Sequence, residues 1–244
     1  MSGIKKHWEE IYSKSNLNKH TWTQDIPETT LSVIDSLNIN KDSHIIDIGG
    51  GDSTLVDSLL NLGYKNITVL DISENAINIA KNRLGDKSPY VKWIVSDILE
   101  FVPQKRYDLW IDRAAFHFIR DEKSIKQYAN LVYTSLTKDG YSLIATFSDM
   151  GPSKCSGLEV SKYSKENLTQ VLEFGFNREY CVFEDHITPA HAEQNFIYGL
   201  FKYRQEWENP THSLTNDRFV KYQNNPVLDS GMSCNIDNKG SCCG

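Results

Sequence analysis

Three aspartates each follow or end a short apolar run: Asp47 within Ile45-Ile46-Asp47-Ile48, Asp71 after Ile67-Thr68-Val69-Leu70, and Asp97 just beyond Val91–Val95. After the first run comes Gly49-Gly50-Gly51. Glycines at such a bend permit positive φ and let backbone N–H groups approach a ligand closely. Asp71 stands 20 residues after Gly51, a spacing at which an acid accepts both hydroxyls of a ribose. Asp97 then comes within reach of an adenine amino group. The combined chemistry is the binding of a nucleoside. Aspartates that merely cap helices or turns are the structural alternative.

A second group follows the fourth apolar run, in Asp112-Arg113-Ala114-Ala115-Phe116-His117-Phe118. His117 has the ordinary pKa of a general base near neutrality, or is a packing or helix-start histidine. Arg113 suits a ligand carboxylate, or pairs with a structural acid. Further on, Cys155 lies in a Gly/Pro-rich loop, Ser148 to Gly157. It is either a small buried residue or a soft ligand for a thiol or metalloid acceptor. The looser set Glu184, His186 and His191 has no metal-site spacing, and no metal is expected.

These residues must be held by regular elements. The runs His44–Ile48, Ile67–Leu70, Val91–Val95, Tyr107–Ile111 and Tyr141–Phe147 read as strands buried on both faces. Helices fit between them. Asp52 or Ser53 can cap one carrying Leu55, Val56, Leu59 and Leu60, and Ser73 can cap one carrying Ala76, Ile77, Ala80 and Leu84. Another carries Ile125, Tyr128, Ala129, Val132 and Leu136. Such alternation predicts right-handed crossovers and a parallel, doubly wound sheet. Cys181–Ile187 and Phe196–Tyr203, joined by a short turn region at Thr188-Pro189, read as an antiparallel pair. Ahead of this core, Ile4, Trp8, Ile11 and Tyr12 have helical spacing, and a second helix covers about residues 30 to 37.

Composition narrows the function classes. The 244 residues carry a net charge of -6, with 39% hydrophobic and 24% charged residues, which is globular and disfavours a nucleic-acid backbone as partner. No stretch reaches the roughly 18 apolar residues of a membrane span. The N-terminus lacks the apolar centre of a secretory signal, so no membrane association and a reducing, cytoplasmic setting are expected. Five cysteines cannot all pair within the chain.

A nicotinamide oxidoreductase is one alternative for the glycine bend. Its fingerprint wants a third small residue three positions beyond Gly51, where this chain has Thr54. Asp52 at the start of the helix also suits a cation better than a diphosphate.

The segments Ile45–Ser53, Val69–Ser73, Val95–Leu99 and Tyr107–Phe118 together resemble the successive motifs of class I S-adenosylmethionine-dependent methyltransferases. The resemblance spans about residues 20 to 204. It implies an α/β, Rossmann-like fold: a seven-stranded, mostly parallel sheet with a final antiparallel strand and helices on both faces. It implies S-adenosylmethionine as cofactor, with Gly49 and Gly51 at the methionine moiety, Asp71 at the ribose, and Gly50 and Ile72 also among the cofactor-binding residues. Asp97 and Ile98 fall at the adenine, and Asp47 orients the loop or the amino group. His117 would face the methyl group, and Arg113 would meet a carboxylate of cofactor or substrate. Trp8, Tyr12 and Trp22-Thr23-Gln24 look more narrowly like the branch containing the citrate-synthase lysine methyltransferase, with Trp22 closing over the cofactor. The chain lacks the Asn-Pro-Pro-Tyr type of motif after the fourth strand, against a DNA-adenine substrate.

The expected organisation is a helical lid over residues 1–40, a methyltransferase domain over 41–204 and a polar tail over 205–244. The expected activity is methyl transfer to a small-molecule or protein-lysine acceptor. A thiol or metalloid acceptor served by Cys155 and the tail cysteines Cys234, Cys242 and Cys243 is the other possibility within the family. Oligomeric state is not legible.

Overall fold

The computed structural model describes residues 3–14 and 20–204. The expected tail, with Cys234, Cys242 and Cys243, lies outside the described residues.

Nine strands and six α-helices follow one another in the described residues. They are α1 (Gly3–Lys14), α2 (Glu28–Ser36), β1 (His44–Ile48), α3 (Leu55–Asn61), β2 (Asn66–Asp71), α4 (Glu74–Leu84), β3 (Val91–Val95), β4 (Tyr107–Arg113), α5 (Glu122–Ser135), β5 (Leu136–Phe147), β6 (Lys154–Cys155), β7 (Leu158–Glu159), α6 (Lys165–Leu172), β8 (Phe176–Ile187) and β9 (Glu193–Tyr203). Seven strands form one sheet in the order β3-β2-β1-β4-β5-β9-β8. β1 through β5 pair in parallel, and β9 runs antiparallel to both β5 and β8. The expected architecture is therefore the observed one.

Alternation along each strand divides the core. Ile45 with Leu109 and Ile111 packs against Ile34 of α2 and Leu55, Val56 and Leu59 of α3. Ile46 and Ile48 with Trp110 and Ile144 face the other side, against Tyr128 and Val132 of α5 and Leu168 of α6. Both faces of the parallel strands are covered, which is why they read as unbroken apolar runs.

Several boundaries differ from the sequence expectation. Leu136 begins β5 instead of ending α5. Thr54 is the residue preceding α3 and makes no side-chain cap, while the expected Ser53 accepts the Leu55 N–H on its Oγ at 3.2 Å. Ser73 does cap α4, its hydroxyl accepting the Ala76 N–H at 3.2 Å. The loop after β5 contains a two-residue hairpin, β6–β7. Helix α6, unassigned from sequence, is capped by Ser164 and buries Leu168, Val171 and Leu172. Among the described residues no helix is long and apolar enough to cross a membrane.

Leu168 is fully buried and belongs to the same cluster as Tyr128 and Phe201. Leu168→Ala is expected to cost ~2–5 kcal/mol of unfolding free energy in urea titrations, as large-to-small changes in a packed core do.

Candidate active site

The sheet reverses its order between β1 and β4, so the connections after these strands diverge and leave a crevice at their carboxyl ends. The glycine bend sits there. Gly49 donates its N–H to the Leu70 carbonyl at 2.8 Å, which ties the bend to the end of β2. Its φ is +64°, and an added Cβ would lie 2.7 Å from the Cβ of Ala115. Gly51 has φ +37°, and its added Cβ would lie 2.8 Å from Oδ2 of Asp71. Neither position tolerates a side chain.

Asp71, at the end of β2, accepts the Ser73 N–H at 2.8 Å. Burial pushes its pKa up to about 7, against the opposing pull of the Ser73 amide. Next to it, Ile72, Ser96, Asp97, Ile98 and Leu99 continue the wall of a cavity of about 340 Å³. Asp97 also accepts the Leu99 N–H at 3.0 Å and so caps a single 3₁₀ turn. The turn-capping and cavity-lining roles coincide in one residue.

Asp47 takes a different place. It is buried behind the bend, with an added Cβ on Gly50 falling 2.5 Å from its Oδ2. Burial raises its pKa to about 7, while the Arg113 guanidinium lowers it. Of the positions expected to touch the cofactor, Gly49, Asp71, Ile72, Asp97, Ile98, Arg113 and Trp22 line the cavity. Gly50 lines a smaller polar recess beside it, together with Trp22, Gln24, Ser53, Arg113, Glu184 and His186.

The turn after β4 is built from an aspartate with no cavity role. Asp112 accepts the N–H groups of Ala115 and Phe116 at 3.0 and 2.9 Å, and the Tyr128 hydroxyl donates to it at 2.7 Å. These bonds hold Ala114 at φ +69°, a costly conformation for a residue with a Cβ. Arg113 and Ala114 thereby stand at the border of cavity and recess. Arg113 donates to Gln24 Oε1 at 2.5 Å and to Ser53 Oγ at 2.7 Å. Its Nε is buried without a hydrogen-bond partner.

His117 does not face the cavity. Its ring is fully buried, stacked on Phe147 with centroids 4.6 Å apart, and neither ring nitrogen has a hydrogen-bond partner. Burial lowers its pKa to about 3, so it is neutral and weakly basic at physiological pH.

The roof comes from α1. Ile4, Trp8 and Tyr12, one helical turn apart, line the cavity with Trp22, Phe118 and Cys155. Trp8 meets Trp22 and Phe118 edge to face, with centroids 5.8 and 5.2 Å apart. The helix is fastened at both sides. Glu9 accepts the Glu74 and Asn75 N–H groups at 2.7 and 3.1 Å, and His7 Nε2 lies 3.0 Å from the Ser156 carbonyl in the β6–β7 turn. Burial works to raise the Glu9 pKa, but those amides, with the Ser73 hydroxyl, hold the carboxyl below its usual range. Arg120, Asp121 and Ser124 also line the cavity; neither they nor Glu9 stand in a local motif, and the helical spacing of Ile4, Trp8 and Tyr12 marks one face of α1 but not what it covers. The Cys155 thiol is buried, its pKa raised by burial, and its Sγ lies 3.9 Å from Ser156 Oγ. Among the described residues there is no cluster of metal-ligating side chains.

Gly49→Ala is expected to lower stability by ~1–3 kcal/mol in chemical denaturation, since it meets both a left-handed φ and the Ala115 contact.

Residues 45–140 match the family described as "Methyltransferase domain". The chain is 33% identical over 105 residues to malonyl-[acyl-carrier protein] O-methyltransferase 2 of Ilyobacter polytropus, covering 43% of this chain and 39% of that protein. The chain spans about two fifths of the length of the bacterial curated relatives it matches. It is 23% identical over 190 residues to EEF1A lysine methyltransferase 2 of Danio rerio, covering 71% of this chain and 75% of that one. In fold it is similar to N-methyltransferase NodS from Bradyrhizobium japonicum WM9, crystallised with S-adenosyl-L-homocysteine. The TM-score is 0.63 at 18% identity, over 81% of this chain and 98% of that chain. Residues 45–140 thus carry a methyltransferase domain, in a chain whose Rossmann-like fold is similar to that of the solved N-methyltransferase.

Proposed function

We propose that this chain transfers a methyl group from S-adenosylmethionine to a small-molecule acceptor received beneath α1. The observation that carries the reading is the roofed cavity lined by both Asp71 and Gly49, the first residue of the side-chain-free bend. Asp71 holds the ribose hydroxyls, with Ile72 beside it. Asp97 and Ile98 hold the adenine, and the Gly49–Gly51 bend takes the methionyl part. Arg113, with its buried unpartnered Nε, takes the methionyl carboxylate. The cofactor supplies an electrophilic methyl group on a sulfonium, whose departure as a neutral thioether needs no acid. The faces of Trp8, Tyr12, Trp22 and Phe118 suit a positive charge of that kind.

Alignment is then the main contribution of the protein, worth up to ~7–11 kcal/mol when reacting groups are well oriented. We assign His117 to packing rather than to proton transfer, because it is sequestered behind Phe118 and Phe147 and neutral. The acceptor therefore arrives as a nucleophile in its reactive ionisation state. A carboxylate does so at neutral pH, and the malonyl O-methyltransferase similarity agrees with it. A protein lysine is the second reading, favoured by the similarity to the EEF1A enzyme across most of the chain. The buried, protonated Cys155 lends no support to a metalloid or thiol acceptor, and the matched domain leaves the nicotinamide reading without support.

Incubating a lysate with labelled S-adenosylmethionine and this chain tests the reading: label is expected in small molecules, and label confined to protein would favour the lysine alternative. Asp71→Ala is expected to weaken S-adenosylhomocysteine binding about 10- to 100-fold by calorimetry, the effect of losing hydrogen bonds to a charged group. Affinity should also depend on pH. Below about 7 the raised pKa leaves a proton on Asp71 that must depart before both ribose hydroxyls can donate. Binding should therefore strengthen as pH rises towards about 7 and level off above it, with Asp71→Asn flattening the profile.

A further inference from the structure

His186 lies on β8, 162 residues beyond Gln24, yet the two side chains meet in the polar recess. The imidazole is buried, with Phe196 edge-on at 6.1 Å. Its Nε2 is 2.7 Å from the Thr21 carbonyl oxygen, and its Nδ1 is 3.4 Å from Gln24 Nε2. A carbonyl only accepts, so Nε2 carries the hydrogen and Nδ1 presents a lone pair to the Gln24 amide. The amide NH2 donates to that lone pair, and Gln24 Oε1 is left to accept from Arg113 Nη1 at 2.5 Å. Arg113 Nη2 completes the series by donating to Ser53 Oγ at 2.7 Å, on the loop that follows Gly51. The three bonds from Arg113 through Gln24 and His186 to Thr21 all run in one direction, with Arg113 as the donor at their head. Turning the Gln24 amide over would set its NH2 against a guanidinium that can only donate, so the imidazole and the guanidinium fix the amide from both ends.

We propose that Gln24 and His186 are positioning residues: they hold the Arg113 guanidinium at the border of cavity and recess, where it receives the carboxylate of the methionyl moiety. This rests on the reading of Arg113 given above. Thr21 and Gln24 flank Trp22 in the segment after α1, so the same histidine also anchors the strap that brings Trp22 over the cavity. The contact at the recess thus serves both the arginine and the roof, through residues that touch neither the ribose nor the adenine wall.

The test compares two ligands with the same adenosine and thioether. S-adenosylhomocysteine carries the amino-carboxylate, and 5′-methylthioadenosine does not. Affinities are measured by calorimetry for the wild-type chain, Gln24→Ala, Gln24→Glu, His186→Phe and His186→Asn, with melting temperatures confirming that each variant is folded. Gln24→Glu sets a carboxylate on Arg113 in competition with the ligand. His186→Asn keeps an acceptor near the Nδ1 position. The expected result is about a tenfold loss of S-adenosylhomocysteine affinity in Gln24→Ala, Gln24→Glu and His186→Phe, with 5′-methylthioadenosine unchanged and His186→Asn recovering most of the loss. An equal loss for both ligands, or no loss in the Gln24 variants, overturns the positioning role while leaving the methyltransferase reading in place. Arg113→Gln binding S-adenosylhomocysteine as tightly as wild type removes the carboxylate role of Arg113 and this proposal with it. Failure of the wild-type chain to bind either nucleoside identifies an error in the cofactor assignment itself.

Discussion

The site depends on a close approach between a bare stretch of backbone and a buried carboxyl group. Gly51 passes so near Asp71 that a single added carbon would press on Oδ2, and Gly49 passes as closely to Ala115. A loop with side chains could not occupy this crevice, and a crevice without the loop would leave Asp71 with no nearby backbone donor from β1. Burial raises the Asp71 pKa, against the Ser73 and Gly51 amides, which lower it. The carboxyl group is thereby kept out of water, at the place proposed above for the ribose hydroxyls.

The other side of the crevice is kept in shape by local strain held in place by a hydrogen-bond network. Asp112 collects two backbone amides and a tyrosine hydroxyl, and Trp110 Nε1 donates to that hydroxyl at 3.2 Å. Asp112, Trp110 and Tyr128 are buried, so an unsatisfied member among them would carry its full desolvation cost. That cost is what keeps Ala114 in a left-handed conformation and sets Arg113 and Ala115 on either side of it. The turn faces the cavity, but the residues that determine its shape lie beneath the sheet.

The roof follows a third rule. Helix α1 turns an apolar stripe towards the cavity while its polar Glu9 closes the N-terminal end of α4, where orphan amides and the helix dipole favour an anion. Ser73 caps the same helix from within, and its hydroxyl donates to Glu9 at 3.0 Å. The residue two places beyond Asp71 is thereby tied to the covering helix, so the Asp71 wall of the cavity and its roof share a fastening.

Much of this was legible in the residues alone. Parallel strands covered on both faces appear as unbroken apolar runs, and a glycine bend between strand and helix is a local feature, so β1 to β5, the bend and the acids at the strand ends could be read directly. Ser164 with Leu168, Val171 and Leu172 also carried a helical signal, but a helix of eight residues between a loop and a strand offers few periods from which to recognise it. Other facts depend on distance along the chain. Periodicity marks Ile4, Trp8 and Tyr12 as one face without saying whether that face covers a core or a cavity. The types of Asp47 and His117 suit chemistry, yet packing sets Asp47 behind the bend and closes His117 between aromatic rings. Gln24 and His186 meet only because β8 returns to the edge of the sheet beside the strap after α1. Residue type and spacing thus determined the elements and the cofactor chemistry, because both arise from local patterns. Burial, orientation and pairing across the sheet were decided by tertiary packing, because they depend on which distant surfaces exclude water from one another.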